Sequence, residues 1–156
     1  MRSKPFWNTL LVLLVAILSS ACDQKTVYNK YHHISIQGWE RQDTMTYDIP
    51  HINMSGKYEE QVGVRILQTF PFTNVSILIQ QTVFPAMTSH YDTLVCRFMD
   101  NRGKIDGNGI SYYQYIFPLK KIALENGDSL HVSIHHIMKR ETLPGLTDIG
   151  FKLIAE

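Results

Sequence analysis

The sequence predicts an all-β fold, an antiparallel sandwich of about seven to nine strands, and three features support this. Apolar and polar residues alternate along most of the chain, which is the period of a strand with one buried face. β-branched and aromatic residues are common in these segments. Turn-forming pairs such as Asn126-Gly127 and Pro144-Gly145 separate the segments. Either a jelly-roll-like or an immunoglobulin-like arrangement fits this pattern.

The alternation assigns an inward face to each predicted strand. The first predicted strand is the segment around Ile34 and Ile36. The second predicted strand covers residues 44–49 and ends before Pro50. The later strands place these residues inward: Val62, Val64, Ile66 and Phe70; Val75, Ile77, Ile79 and Val83; Leu94, Cys96 and Phe98; Leu130, Val132, Ile134 and Met138; Ile149, Phe151, Leu153 and Ala155. Only the segment YYQYIFPLKKIAL hints at a helical turn, which Pro118 limits.

The N-terminus has the organisation of a bacterial lipoprotein signal peptide. Arg2 and Lys4 precede an apolar run over residues 10–18, which is shorter than the roughly 20 residues of a membrane-spanning helix. Small residues then lead to Cys22, as in a lipobox, although Ser19 stands where an aliphatic residue is usual. We expect cleavage before Cys22, a diacylglyceryl group on its thiol, and an acyl chain such as palmitate on its new amine. The alternative is ordinary secretory cleavage after Ala21, which would leave a free cysteine.

The domain organisation follows from this leader. Residues 1–21 are predicted to be the signal peptide, a helix, residues 22–31 a short polar tether, and residues 32–156 a single β-sandwich domain. Cys96 is the second of two cysteines, and its position between Leu94 and Phe98 predicts a buried, inert thiol. A disulfide between Cys22 and Cys96 is the alternative.

Composition and motifs argue against several classes of function. The formal net charge is +1, without a basic cluster, which argues against nucleic-acid binding. The pairs His32-His33 and His135-His136 point to opposite faces of a strand and cannot chelate one ion. Residues 100–109 are rich in Asp, Asn and Gly but lack the EF-hand spacing. We therefore predict no catalytic residue, no metal and no cofactor other than the covalent lipid on Cys22, and we do not expect a small-molecule ligand.

Aromatic residues offer one candidate binding surface. Trp39, Tyr112, Tyr113 and Tyr115 could stack against a sugar, as aromatic rings do on many β-sandwich binding modules. The same rings could instead cap the open edge of the sandwich, since aromatic residues are enriched in strands. A protein-binding surface is a further possibility for this region.

Three segments together resemble one known family. They are GWERQDTMTYDI at residues 38–49, YDTLVCRFMDNRGKIDGNG at residues 91–109, and LPGLTDIGFKL at residues 143–153. In this order, after a lipobox, they resemble the gliding motility lipoprotein GldH family of the Bacteroidetes. The resemblance implies an envelope lipoprotein associated with the gliding machinery. It carries over one functional residue, Cys22, as the lipid-attachment site.

The predicted function is therefore that of a non-enzymatic cell-envelope lipoprotein. It would be a component or stabiliser of a gliding-motility or secretion-type assembly, anchored to the membrane by lipid and in contact with other envelope proteins. The alternative is a glycan-binding module at the surface or in the periplasm. Asp23 follows Cys22, and the segment CDQKT lacks an acidic cluster typical of surface export. We expect the outer membrane, with the domain facing the periplasm.

Overall fold

Antiparallel β-strands account for all the regular structure in the described part of the chain. The computed structural model describes residues 25–100, 102, 103, 105, 107 and 109–156, so the predicted signal peptide and Cys22 lie outside the described residues. Within those limits, no helix is long and apolar enough to cross a membrane. The strands are β1 (Thr26–His33), β2 (Trp39–Glu40), β3 (Met45–Ile49), β4 (Gly56–Leu67), β5 (Asn74–Phe84), β6 (Thr88–Arg97), β7 (Tyr112–Leu124), β8 (Ser129–His136), β9 (Thr142–Leu143) and β10 (Leu146–Ala155).

The eight longer strands form two four-stranded sheets with jelly-roll topology. Sheet I has the order β1-β10-β4-β7, and sheet II has the order β3-β8-β5-β6. Apart from the β5–β6 hairpin, successive long strands lie in opposite sheets, which is the double Greek key of a jelly roll. The short strands β2 and β9 pair only with each other among the described strands. The predicted β-sandwich is confirmed, and the jelly-roll form of it is the one observed.

The core is formed by the inward residues of both sheets. Val62, Ile77, Ile134 and Phe151, for example, have no exposed surface. Burial of such a side chain contributes about 1.5–3 kcal/mol. The Tyr47 hydroxyl crosses the core and donates a hydrogen bond to the Ile149 carbonyl at 2.8 Å. The residues predicted to face inward within 62–83, 96–98, 130–134 and 149–153 are buried, whereas Leu94, Met138 and Ala155 are partly buried.

The segment predicted as a helical turn is the longest strand, β7. It is an edge strand that pairs with β4 alone among the described strands. An edge position tolerates Pro118, because the missing N–H can face away from the pairing partner. The helical interpretation of this segment is therefore wrong.

The first strand lies in the segment predicted to be a tether. Residues 26–31 belong to β1, which pairs with β10. The pairing begins with Thr26 opposite Ile154 and ends with His33 opposite Asp148. The prediction of a tether over residues 22–31 is therefore wrong for residues 26–31, because a polar edge strand lacks a strong apolar period. The predicted strand around Ile34 and Ile36 is absent as well: Ile34 is buried just after the end of β1, whereas Ile36 lies in a turn and is 98% exposed.

The two ends of the sandwich are formed by different loops. At the entry end, where β1 begins, the Ala155 N–H donates to the Lys25 carbonyl at 2.7 Å. The loops over residues 50–55, 85–87 and 125–128 lie at this end. The far end is formed by the loops over residues 34–38, 68–73 and 137–141, the described residues between β6 and β7, and the pair β2–β9.

A carboxyl and an amide lie fully buried between the sheets. Glu60 of β4 and Gln81 of β5 have no exposed surface, and Gln81 Nε2 donates to Glu60 Oε2 at 2.9 Å. Glu60 Oε1 and Gln81 Oε1 have no hydrogen-bond partner among the described residues. Desolvation by burial raises the pKa of Glu60 from 4.5 to about 7, against the opposing effects of the Gln81 hydrogen bond and the Lys120 charge. A protonated Glu60 can donate to Gln81 Oε1, which would satisfy both oxygens.

Glu60→Gln should remove a pH dependence from the stability of the protein. The folded state binds the Glu60 proton more tightly than the unfolded state, so this stabilisation is complete below about pH 4.5 and is lost as the pH rises through about 7. The loss is on the order of 3 kcal/mol. A glutamine pairs with Gln81 through two amide hydrogen bonds at any pH. Urea unfolding should therefore show similar stabilities near pH 5 and a more stable variant at pH 8.

The comparison of the two proteins isolates Glu60. Burial lowers the pKa of His136, which acts on stability in the opposite direction and is common to both proteins. Stability curves that remain parallel from pH 5 to pH 8 would show that Glu60 is ionised in the folded core.

Candidate functional site

A groove of about 840 Å³ runs along the edge of β7 that faces away from β4, where no other described strand pairs with it. It lies on the side of the sandwich where β7 and β6 are the edge strands of the two sheets. Among the described residues its lining consists of Arg97, Gly109, Ile110, Ser111, Tyr112, Gln114, Tyr115, Ile116 and Phe117. The lining combines aliphatic and aromatic surface with a guanidinium, an amide and hydroxyl groups, which suits recognition of an amphipathic ligand.

The same side of the sandwich is closed nearer the entry end. Lys120 of β7 forms an ion pair with Asp92 of β6, with 2.6 Å between Nζ and Oδ2. The pair joins the edges of the two sheets and is partly buried. The opposite side of the sandwich is joined by His32, whose Nε2 lies 2.8 Å from the Thr46 carbonyl oxygen. The groove is thus the part of the β6–β7 side beyond the ion pair.

An arginine on the outer face of sheet I is held beside this groove. The Arg65 guanidinium lies 4.1 Å from the centre of the Tyr31 ring and 5.7 Å from that of Tyr112. Its Nε donates to Gln114 Oε1 at 2.9 Å, and Asp148 lies 4.0 Å from Nη1. These contacts hold the guanidinium in place before any partner binds, which lowers the entropic cost of binding.

Two glycines make room for Tyr31. Gly63 and Gly150 pair with each other across β4 and β10, and the Tyr31 ring lies over both. A Cβ atom built on Gly150 would lie 2.6 Å from Tyr31 Cε1, and one on Gly63 would overlap the Tyr31 hydroxyl. Glycine inside a strand often marks such a close approach. A glycine inside each of two strand segments is the signal that the sequence offers, but only the structure shows that the two pair and that Tyr31 lies over them.

The structure does not bring the four predicted aromatic residues together on one surface. Trp39 is fully buried, donates from Nε1 to the Asp43 carbonyl at 3.0 Å, and packs edge-on against His136. Tyr115 is 6% exposed, stacks on Phe117, and donates to the Phe98 carbonyl at 3.1 Å. Trp39 therefore offers no ring face to a ligand, and Tyr115 mainly covers the open side of the core.

The other two predicted residues lie nearer the solvent. Tyr112 is 45% exposed, lines the groove and contacts Arg65. Tyr113 is half-buried and packs against the core. Of the four predicted residues, Tyr112 is thus the one whose exposed ring could meet a partner. Arg65, Arg97, Gln114 and Ile116 were not predicted.

The remaining ionisable groups are distributed over the surface or buried singly. The described residues contain no group of three or more His, Cys, Asp or Glu placed to hold a metal ion. His131 pairs with Asp48 at 2.6 Å, and His33 lies 3.4 Å from Asp148. Cys96 has no exposed surface, and burial raises the pKa of its thiol to about 12. The prediction that the Cys96 thiol is buried is confirmed, and its low reactivity remains a prediction that the raised pKa supports.

The fold and the groove define a small jelly-roll domain with a groove along one edge strand. Residues 26–153 match the family model described as GldH lipoprotein, and the chain belongs to this family. The resemblance inferred from three sequence segments is confirmed. The matched region begins where β1 begins.

Two curated relatives match nearly the whole chain. The gliding motility lipoprotein GldH of Flavobacterium johnsoniae is 27% identical and aligns with 94% of this chain and 95% of its own length. A GldH homolog of Christiangramia forsetii is 23% identical and aligns with 94% of each chain.

Solved structures show more distant similarity. A protein from Sulfurospirillum deleyianum has a TM-score of 0.42 and 10% identity, over 83% of this chain and 98% of that chain. A family GH115 4-O-methyl-alpha-glucuronidase has a TM-score of 0.48 and 14% identity, over 87% of this chain and 18% of that chain.

Gly63→Ala should destabilise the domain by displacing Tyr31 from Arg65. The added methyl group overlaps the Tyr31 hydroxyl, so the ring must move and its contact with the guanidinium is lost. We expect a loss of about 1–2 kcal/mol in urea unfolding, from the displaced ring and the lost cation–π contact.

Two further variants test this explanation. In a Tyr31→Ala background, Gly63→Ala should cost much less, because the overlapping ring is gone. Gly56→Ala is the control, since a Cβ atom there meets nothing within 4 Å. An equal cost of Gly63→Ala in both backgrounds would contradict the proposed role of Tyr31.

Proposed function

We propose that this protein is a non-enzymatic envelope lipoprotein that binds another protein of a gliding-type assembly through the β7 groove. The observation that carries this proposal is the exposed lining of the groove, with Arg97, Ile110, Tyr112 and Ile116 along a strand edge that no other described strand pairs with. Membership of the GldH lipoprotein family and the gliding motility name of a relative support the cellular context. The anchor would be lipid on Cys22, in the outer membrane, with the domain facing the periplasm.

The groove suits an extended segment of a partner protein. An edge strand offers backbone N–H and C=O groups that an added strand can pair with, and neighbouring side chains then determine which sequence fits. Ile110 is 90% exposed and Ile116 is 46% exposed, so both can contact apolar side chains of the segment. Arg97 can pair with a carboxylate. We therefore propose a segment that contains apolar residues and at least one acidic residue.

Two features of β7 limit the length of the proposed contact along the strand. Pro118 lacks an N–H, and the Lys120–Asp92 ion pair joins the two sheet edges beyond it. An added strand would therefore pair with the part of β7 from Tyr112 to about Phe117. A contact of this length is small, as expected for a component that assembles reversibly.

Glycan binding is the second candidate function, and one observation favours it. The exposed Tyr112 ring lies in the groove with Gln114 and Arg97, whose amide and guanidinium can hydrogen-bond hydroxyl groups. A glycan array that shows binding lost in Tyr112→Ala, with unchanged folding, would favour this function over the protein-binding one.

Ile116→Glu should abolish capture of the partner from native envelopes. The substitution places a carboxylate in the apolar part of the groove without affecting the core, because the Ile116 side chain is 46% exposed. In a crosslinked pull-down of the lipidated protein, we expect the co-purified envelope proteins to be lost. The matched control is Ile137→Glu, at an isoleucine that is 40% exposed and outside the groove. Equal capture by both variants would contradict the assignment of the groove.

Cys22→Ala should release the protein from the membrane. Without the thiol there is no site for the diacylglyceryl group, and the acyl chains supply the membrane affinity. We expect the variant to lose metabolic labelling with fatty acid and to leave the membrane fraction. A variant that stays uncleaved and membrane-bound would show that the apolar run over residues 10–18 is itself the anchor.

A further inference from the structure

We infer that the entry end of the sandwich lies on the bilayer, with Met54, Phe84 and Met87 in contact with lipid. This inference depends on the proposed lipid attachment at Cys22. It concerns a different surface from the groove, which lies at the other end of β7. The partner is a bilayer of zwitterionic lipids, and the contact is apolar.

The short distance between Cys22 and the domain requires this end to be near the membrane. Lys25 is already fixed to sheet I, because its carbonyl accepts the Ala155 N–H at 2.7 Å. Three peptide units separate Lys25 from Cys22, and a fully extended chain covers at most about 3.6 Å per residue. The lipidated residue therefore lies within about 11 Å of the Lys25 Cα atom. That span is small compared with the domain.

The apolar side chains at this end come from the loop over residues 50–55 and from the β5–β6 hairpin. Met54 is 69% exposed in the loop over residues 50–55, which is fixed to the turn over residues 125–128 by the hydrogen bond from Gly127 N–H to the Ile52 carbonyl at 2.8 Å. Phe84 pairs with Ser129, directly after that turn, and Met87 follows at the tip of the β5–β6 hairpin. Phe84 is 37% exposed and Met87 is 66% exposed.

The backbone at Met87 supports a functional role for its exposure. Met87 has φ of 56°, a left-handed conformation that glycine and asparagine adopt far more readily than methionine. It is the one non-glycine residue with positive φ in the described part of the chain. Contact with lipid would bury the exposed thioether chain, and residues in such conformations cluster at functional sites. Methionine also adapts well to an irregular apolar surface.

The charges at the entry end are nearly balanced. Lys25, Lys57 and Lys121 lie near Glu125, Asp128 and Glu156, and Lys121 is paired with Glu156. A contact governed by anionic lipid would need an excess of basic residues. The apolar side chains should therefore provide most of the contact, and added salt should not release it.

This orientation determines the height of the β7 groove above the membrane. Strand β7 runs from Tyr112 at the far end to Leu124 at the entry end. Thirteen residues at about 3.3 Å each span about 40 Å, so the groove would face the aqueous compartment well above the lipid headgroups.

A fluorescence experiment on the full-length lipidated protein tests the inference. The protein is reconstituted in vesicles of phosphatidylcholine and phosphatidylethanolamine with brominated acyl chains, which quench a fluorophore on contact. An environment-sensitive dye is attached in turn to Met87→Cys, Met54→Cys and Ile36→Cys. Ile36 is the control, because it is 98% exposed at the far end. We expect the dyes at 87 and 54 to lose most of their fluorescence, at low and high salt alike, and the dye at 36 to retain it.

The other outcomes separate this inference from the proposed anchor. Dyes at 87 and 54 that stay as bright as the dye at 36, on protein that floats with the vesicles, overturn the docking and leave the anchor intact. Equal quenching at all three positions overturns the orientation. Protein that carries no lipid and does not float with the vesicles overturns the anchor and, with it, the docking.

Discussion

The pairing of the first strand with the last is the constraint on which the rest of the structure depends. β10 lies between β1 and β4 in sheet I, and its inward residues Ile149, Phe151 and Leu153 are fully buried. The β1 pairing fixes the chain to the sheet at Lys25, so the position of the entry end relative to Cys22 follows from it. It also places Tyr31 over Gly150 and Gly63, from which the ring reaches Arg65. One strand pairing thus sets the geometry beside the groove and, with lipid on Cys22, would also set the approach to the membrane.

Two of the polar contacts between the sheets, the Lys120–Asp92 and Glu60–Gln81 pairs, lie close together but differ in burial and in their effect on stability. The Lys120–Asp92 pair is near the surface, where solvent screens it and its contribution to stability is small. Its main effect is to join the sheet edges and so to mark where the groove ends. Glu60 and Gln81 are fully buried, at a point where a bulge interrupts the pairing of β4 with β7. An unpaired buried oxygen is costly there, so the protonation state of Glu60 matters more to folding than the surface ion pair does.

Much of the fold could be predicted because it depends on local alternation, whereas the site depends on distant pairings. The inward residues of β4, β5, β8 and β10 follow from the two-residue alternation alone. The same alternation places Glu60 and Gln81 inward, so the sequence could have predicted a buried polar pair. The choice of a jelly roll over an immunoglobulin-like sandwich depends on which strands pair across more than 100 residues, as Tyr31 does with Gly150. β7 was missed because Pro118 argues against a strand unless its edge position is known. Tyr112 stood out by aromatic density, but Arg65 becomes notable only when Gly63 and Gly150 are seen to lie side by side.

A short connection to the membrane changes what a small binding surface can achieve. A long flexible tether would let the domain rotate, and a groove of six strand residues would meet its partner in many orientations. With only two residues between Cys22 and Lys25 and a second contact through the loops of the entry end, the groove would keep one height and a narrow range of directions. A partner fixed in the same membrane would then encounter it at a high effective concentration, so a weak contact at each site could still hold an assembly together. A near-neutral domain with a modest groove could in this way serve as a stable component of an envelope complex.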